Sequence, residues 1–165
     1  MSNYRPIVDI IRDVVQQMAT EKTCYYEHGH RIEIINILSM KSANKNLKFE
    51  KYPLIALFQD FKEEVGLSGR DVSLNLAIMT DTRPEWLASE RQIETFDKIL
   101  YPLWDLFVKY LKRSPYIDQN GFTYDKYDRM YWGKQAANGT ESNIFNDTVD
   151  AIEIENLKLH IVENC

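Results

Sequence analysis

Three groups of residues in this chain could do chemistry. His28-Gly29-His30, with Glu27 beside them, would set two imidazoles on one side of an extended strand, a spacing that metal ligands use. No third ligand is identifiable from the sequence, and strand-edge histidines are the preferred reading; His160 is the only other histidine. Asp118, Asn120 and Gly121, followed by Asp125 and Asp128, resemble part of a calcium loop, but Phe122 stands where an oxygen donor is needed and the glycine comes two positions early. A type I′ hairpin turn at Asn120-Gly121, between Tyr116-Ile117 and Phe122-Thr123-Tyr124, accounts for the same residues. Asp147, Asp150, Glu153 and Glu155 form an acidic run that could hold Mg²⁺ for phosphoryl chemistry. On a strand, Glu153 and Glu155 would instead alternate with Ile152 and Ile154 as its solvated face, and that reading is preferred.

Phosphate-cradling and nucleophile motifs are missing: no G-x-x-x-x-G-K-[ST], G-x-G-x-x-G, G-x-S-x-G or C-x-x-C occurs, and the chain has only 6 glycines with which to build such loops. The expectation is a protein that is not an enzyme and carries no cofactor. The 2 cysteines, Cys24 and Cys165, argue against a disulfide framework and show no metal-type spacing. The first residues contain Asp9, Arg12 and Asp13, which rules out the apolar core of a signal peptide, and no stretch is long and apolar enough to span a membrane. Read as a cytosolic product, the chain gives its Asn138 and Asn146 sequons no glycosylation meaning. A net charge of −5 with no run of Lys and Arg argues against a phosphate-gripping nucleic-acid surface.

The elements that must position these groups follow from periodicity. At 165 residues a single domain is expected. Ile7, Ile10, Ile11, Val14, Val15 and Met18 repeat at helical spacing, with Pro6 at the start and an end near Thr20. Ile32, Ile34 and Ile37, within the Tyr- and Ile-rich stretch 23–38, predict a strand, with a bulge or two buried faces at Ile34-Ile35. Residues 41–48 read as a loop, and 49–61 leaves strand and helix both open around Pro53. Val72, Leu74, Leu76 and Ile78 alternate strictly with Ser73, Asn75 and Ala77, predicting a strand over 71–80 with one buried face. Ile93, Phe96, Leu100, Leu103, Phe107 and Tyr110 then predict one long amphipathic helix over 90–113, N-capped by Ser89 with Gln92 completing a capping box, and kinked at Pro102. In the last strand Ile152 and Ile154 are out of phase with Leu157, Leu159 and Ile161, so a bulge or tight bend is expected at Glu155-Asn156.

Between the long helix and the last strand lies an irregular aromatic-rich excursion, residues 115–149. Tyr116, Phe122, Tyr124, Tyr127, Tyr131, Trp132 and Phe145 are its candidate partner-binding residues. Lys126, Arg129 and Lys134 are too closely matched by Asp125 and Asp128 for single-stranded nucleic acid, which leaves a protein partner. The excursion is expected to be separable, so that deleting residues 124–145 spares the folded domain.

The order of elements, with Tyr52-Pro53-Leu54-Ile55-Ala56-Leu57-Phe58, the strand from Asn75 to Thr80 running on to Arg91 and Phe96, Tyr101-Pro102-Leu103, and Asp150-Ala151-Ile152-Glu153-Ile154-Glu155-Asn156-Leu157, resembles the tail-terminator and neck-ring proteins of tailed bacteriophages. The resemblance spans residues 5–162. It implies an α+β fold, an α/β sandwich whose mixed, mostly antiparallel sheet is flanked by helices. It also implies a structural virion protein, in the host cytoplasm during assembly and then at the neck or tail. Its partners would be copies of itself in a ring, usually hexameric in that family, the neighbouring connector and tail-tube proteins, and genomic DNA passing without specific binding. A head-to-tail ring needs two different complementary patches per subunit; the aromatic excursion is one candidate and the 41–48 loop a second. The alternatives are a small metal-dependent phage nuclease using Asp147, Asp150, Glu153 or the His28/His30 pair, and a non-enzymatic adaptor domain.

Overall fold

In a computed structural model the chain is described at residues 4–134, 136–137, 140–141 and 147–162. The fold is α+β. Helix α1 (Ile7–Glu21) leads to strand β1 (Tyr25–Gly29), helix α2 (Arg31–Ala43) and the strands β2 (Leu54–Val65) and β3 (Gly69–Asp81). Helix α3 (Ala88–Arg91) runs without a break through a π-helical segment (Gln92–Leu100) into α4 (Tyr101–Arg113). Then follow β4 (Thr123–Arg129), the short β5 (Ala136–Ala137) and β6 (Thr140–Glu141), and finally β7 (Val149–Val162). The main sheet has the order β1-β2-β3-β7-β4, with β1 parallel to β2 and every other pairing antiparallel.

Side chains alternate across this sheet, and each face is covered differently. On one face Ile55, Leu57, Leu74, Leu76, Ile78, Ile152 and Ile154 pack against α1 and against Phe96, Leu100, Leu103 and Phe107 of the long helix. All six periodic apolar residues of α1 are buried there, as their spacing predicts. On the other face Leu54, Ala56, Phe58, Ala77, Met79 and Ala151 meet Ile34, Ile35 and Leu38 of α2. The last half of β3 is therefore buried on both sides, where the sequence pattern predicts one buried face; only its first half alternates with solvent.

The strand expected through Ile32, Ile34 and Ile37 is a helix. Gly29 adopts φ +147, a conformation glycine tolerates, and turns the chain out of β1. His30 then caps α2, its Nδ1 accepting from the Ile32 N–H at 3.2 Å. With Ile34, Ile35 and Leu38 buried at helical spacing, burial overrides the strand preference of β-branched residues. The helix also takes in residues 41–43 of the expected loop.

The long helix is real, but it starts and turns differently. Its N-cap is Leu87 rather than Ser89, and the Glu90 carboxylate, not Gln92, accepts the Leu87 N–H at 2.7 Å. In place of a simple proline kink, the helix widens into i→i+5 bonding just before Pro102, with the Tyr101 N–H donating to the Phe96 carbonyl. The wider turn puts Arg91, Thr95, Phe96 and Leu100 on the buried face and swings Ile93 out to 53% exposure. The bulge expected in the last strand is present: Glu155 and Asn156 together oppose Asn75, Asn156 adopts φ 53, and the Asn75 side chain accepts the Asn156 N–H at 2.9 Å.

Cys24 sits at the junction of α1 and β1, buried, with desolvation pushing its thiol up to about 11. Because the thiolate is the nucleophile, its alkylation near pH 8 should be roughly a hundredfold slower in the folded chain than in denaturant. Peptide mapping after timed iodoacetamide exposure, which separates Cys24 from Cys165, checks this.

Candidate functional site

Strand β4 forms one edge of the sheet, and its side chains fall on two faces. Tyr124 meets the Trp104 ring edge-on, centroids 5.1 Å apart, and lies 6.2 Å from Phe122. Lys126 sits over the Tyr101 ring, and the Tyr101 hydroxyl donates to Asp128 at 2.5 Å. That contact raises the Tyr101 pKa above its ordinary value. Tyr127 and Arg129 occupy the opposite face, with the guanidinium 4.6 Å from the Tyr127 ring. The candidate aromatic residues are thus divided. Tyr124, Tyr127 and Tyr131 are exposed on different sides of this edge; Tyr116 and Phe122 are half-buried against the core. Trp132 belongs to the interior, 4% exposed and stacked on Phe58 at 6.0 Å. Phe145 lies outside the described residues.

The turn at Asn120-Gly121 does not join a hairpin. Ile117 pairs with Ile161, and Thr123 pairs with Lys158, so the segments on either side both run along β7. Residues 118–122 bulge outward between them. The strand partner lies far along the chain, which local turn chemistry cannot reveal.

The acidic run is the second correction. Asp150 is 0% exposed and Glu153 is 3% exposed, so neither belongs to a solvated face. Asp150 points under the long helix. There it accepts from Arg91 Nη1 at 2.7 Å, from the Thr95 hydroxyl at 2.9 Å and from the Tyr131 N–H at 3.3 Å. The remaining Arg91 nitrogens donate to the carbonyls of Trp86 and Arg83, each at 3.0 Å, and the Tyr131 ring covers the guanidinium at 3.8 Å. Glu153, on the other face, is clamped between Arg31 of α2 and Arg129 of β4. Arg31 is itself laid over Phe58 at 4.4 Å. Asp147 accepts from Lys51, which is also bonded to Ser42, and from the Tyr52 hydroxyl at 2.7 Å. Burial, reinforced by the Asp147 carboxylate, drives the Tyr52 pKa strongly upward.

Each of these carboxylates is therefore committed to a cation from a different element. The run ties α2, the long helix and β4 to β7 and does not converge on a common point. Among the described residues no three His, Cys, Asp or Glu side chains gather to hold a metal ion. His28 and His30 also part company: His28 stacks on Tyr26 at 6.0 Å, whereas His30 caps α2. No helix among the described residues is long and apolar enough to cross a membrane. No protein-family model and no curated protein matches this chain.

The excursion is not separable from the domain. β4 supplies a sheet strand, Trp132 fills the second core, and the Trp132 N–H donates to the Val149 carbonyl at 2.9 Å.

Removing one partner of a buried ion pair strands the other without solvent. Asp150→Ala should lower unfolding stability by about 3–5 kcal/mol, measured by urea titration. Lys98→Ala, which breaks only the exposed Glu94–Lys98 pair on the same helix, should change it by no more than about 0.5 kcal/mol.

Proposed function

We propose that this chain is a structural ring subunit of the phage neck and tail junction, similar to tail terminators, which caps the tail tube and joins it to the head-side connector. The observation that carries the reading is that the sheet is open and its two edges differ. β1, five residues long and parallel to its neighbour, closes one side; β4, seven residues long and antiparallel, closes the other. Each has a single strand neighbour in the described sheet. Opposite, non-equivalent edges are what a heterologous, head-to-tail contact uses, and such contacts close into rings when the rotation between subunits allows.

The β4 edge suits a protein partner. Tyr127 and Tyr131 are each 42% exposed, and Tyr supplies large contact area with little loss of side-chain freedom. Asp125, Lys126 and Asp128 flank them with both signs of charge, which discourages indiscriminate strand pairing and favours a matched neighbour. At the β1 edge His28 is exposed. The net charge of −5 suits a channel through which DNA slides without being held. A metal-dependent nuclease is disfavoured by the commitment of Asp147, Asp150 and Glu153 to lysine and arginine partners.

Native mass spectrometry over a concentration series tests the reading. The wild-type chain should give a closed ring mass, alone or when tail-tube or connector protein is added. Tyr127→Asp at one edge and His28→Asp at the other should each reduce it to monomer. A mixture of the two variants should give a dimer through its one intact contact. A wild-type monomer that ignores both added partners would overturn the proposal.

A further inference from the structure

Helix α2 covers only one end of its face of the sheet. At the other end, beyond Ala77, the same face is open and forms a cleft of about 470 Å³. Its floor is written in register across four strands. Lys62 of β2 pairs with Ser73 of β3, Ser73 with Lys158 of β7, and Lys158 with Thr123 of β4. One straight row thus reads ammonium, hydroxyl, ammonium, hydroxyl. Two residues further along the strands, about 6.5–7 Å away, a second row runs Glu64, Asp71 and His160, also in register. All of these side chains line the cleft, and Gly121 and Phe122 of the outward bulge form its wall.

We propose that this open end of the sheet binds a small phosphate ester, with the phosphoryl group on the row Lys62, Ser73, Lys158 and Thr123 and the ligand's hydroxyl groups on the acidic row. Strand spacing sets the two lysine backbones about 9.5 Å apart across Ser73. Two flexible ammonium side chains at that separation can converge on one dianion lying over the serine hydroxyl. Lys158 makes no ion pair among the described residues, so its charge is available to a ligand. Lys62 is shared with Glu64 at 2.6 Å, an exposed contact that a dianion would compete with. Asp71 and His160 hold each other at 2.8 Å across the β3–β7 pair. The second oxygen of each carboxylate, Asp71 Oδ2 and Glu64 Oε2, is left as an acceptor for ligand hydroxyls. A tetrahedral phosphate offers several acceptor oxygens to this donor row, whereas a carboxylate offers two and half the charge. Cleft volume and mixed lining fit a molecule of a few rings or fewer.

The proposal does not rest on ring assembly: of its residues only Thr123 lies on an edge strand, at the first position of β4 and away from the Tyr127 and His28 that the ring reading tests. The test is nuclear magnetic resonance titration of the full chain, amide and lysine signals followed, with inorganic phosphate and, separately, acetate at matched ionic strength. Phosphate should give saturable shifts centred on Ser73, Thr123 and Lys158, with acetate at least tenfold weaker. Lys158→Gln, an exposed substitution that keeps the fold, should weaken phosphate roughly tenfold, the worth of one charge-assisted hydrogen bond. Glu64→Gln, which releases Lys62, should tighten it about threefold. Absence of saturable shifts, equal response to acetate, or indifference to Lys158→Gln would overturn the assignment.

Discussion

A guanidinium and a carboxylate, both shut off from solvent, tie the start of the long helix to β7. Arg91 sits where α3 passes into the π-helical segment, and Asp150 sits near the start of β7. Desolvating such a pair is costly, and the cost is offset only when every remaining donor and acceptor finds a partner. Here each Arg91 nitrogen and each Asp150 oxygen has one: the other two Arg91 nitrogens reach the carbonyls of Arg83 and Trp86, and Asp150 collects the Thr95 hydroxyl and the Tyr131 N–H. One interaction thereby links the loop after β3, the start of the long helix, the turn at Tyr131 and the entry of β7 into the sheet between β3 and β4. The i→i+5 widening fits the same constraint, because it brings Arg91, Thr95 and Phe96 to the buried side together.

The same logic repeats at smaller scale around β7. Glu153 joins α2 to β4 through Arg31 and Arg129, and Asp147 joins the stretch before β2 to the end of the excursion through Lys51 and Tyr52. Carboxylates on β7 and just before it act here as staples between elements distant in sequence. Geometry of this kind gives specificity of arrangement more than net stability, since apolar substitutes would pack without desolvation. It also leaves other surfaces uncommitted: the two sheet edges, to which we assign the docking of a neighbour, and the end of the sheet that α2 leaves uncovered.

Much of the fold was legible because burial on one side writes a period into the sequence. α1 shows every one of its buried positions, β3 shows its alternation, and the phase slip at Glu155-Asn156 announces a bulge that is there. Readings failed where two partners compete for the same residues. Ile32, Ile34 and Ile37 look like a strand because β-branched residues favour one; a glycine at φ +147 and the His30 cap turn them into helix. Ile93 fits an α-helical stripe and is exposed because the turn that carries it is wider.

By itself the sequence determined which segments would be amphipathic, and hence a long helix following a strand with an apolar face, because the 3.6 and 2.0 periods are local properties of the chain. Only the tertiary structure decided which charges would be buried. Asp150, Glu153 and Asp147 look like solvated or metal-binding residues until Arg91, Arg31, Arg129 and Lys51 arrive from elsewhere in the chain. It likewise decided that Lys62, Ser73, Lys158 and Thr123, drawn from four strands, would stand in one row. The hydrophobic pattern fixes which face each strand buries, but which residues stand opposite one another depends on strand partners distant in sequence.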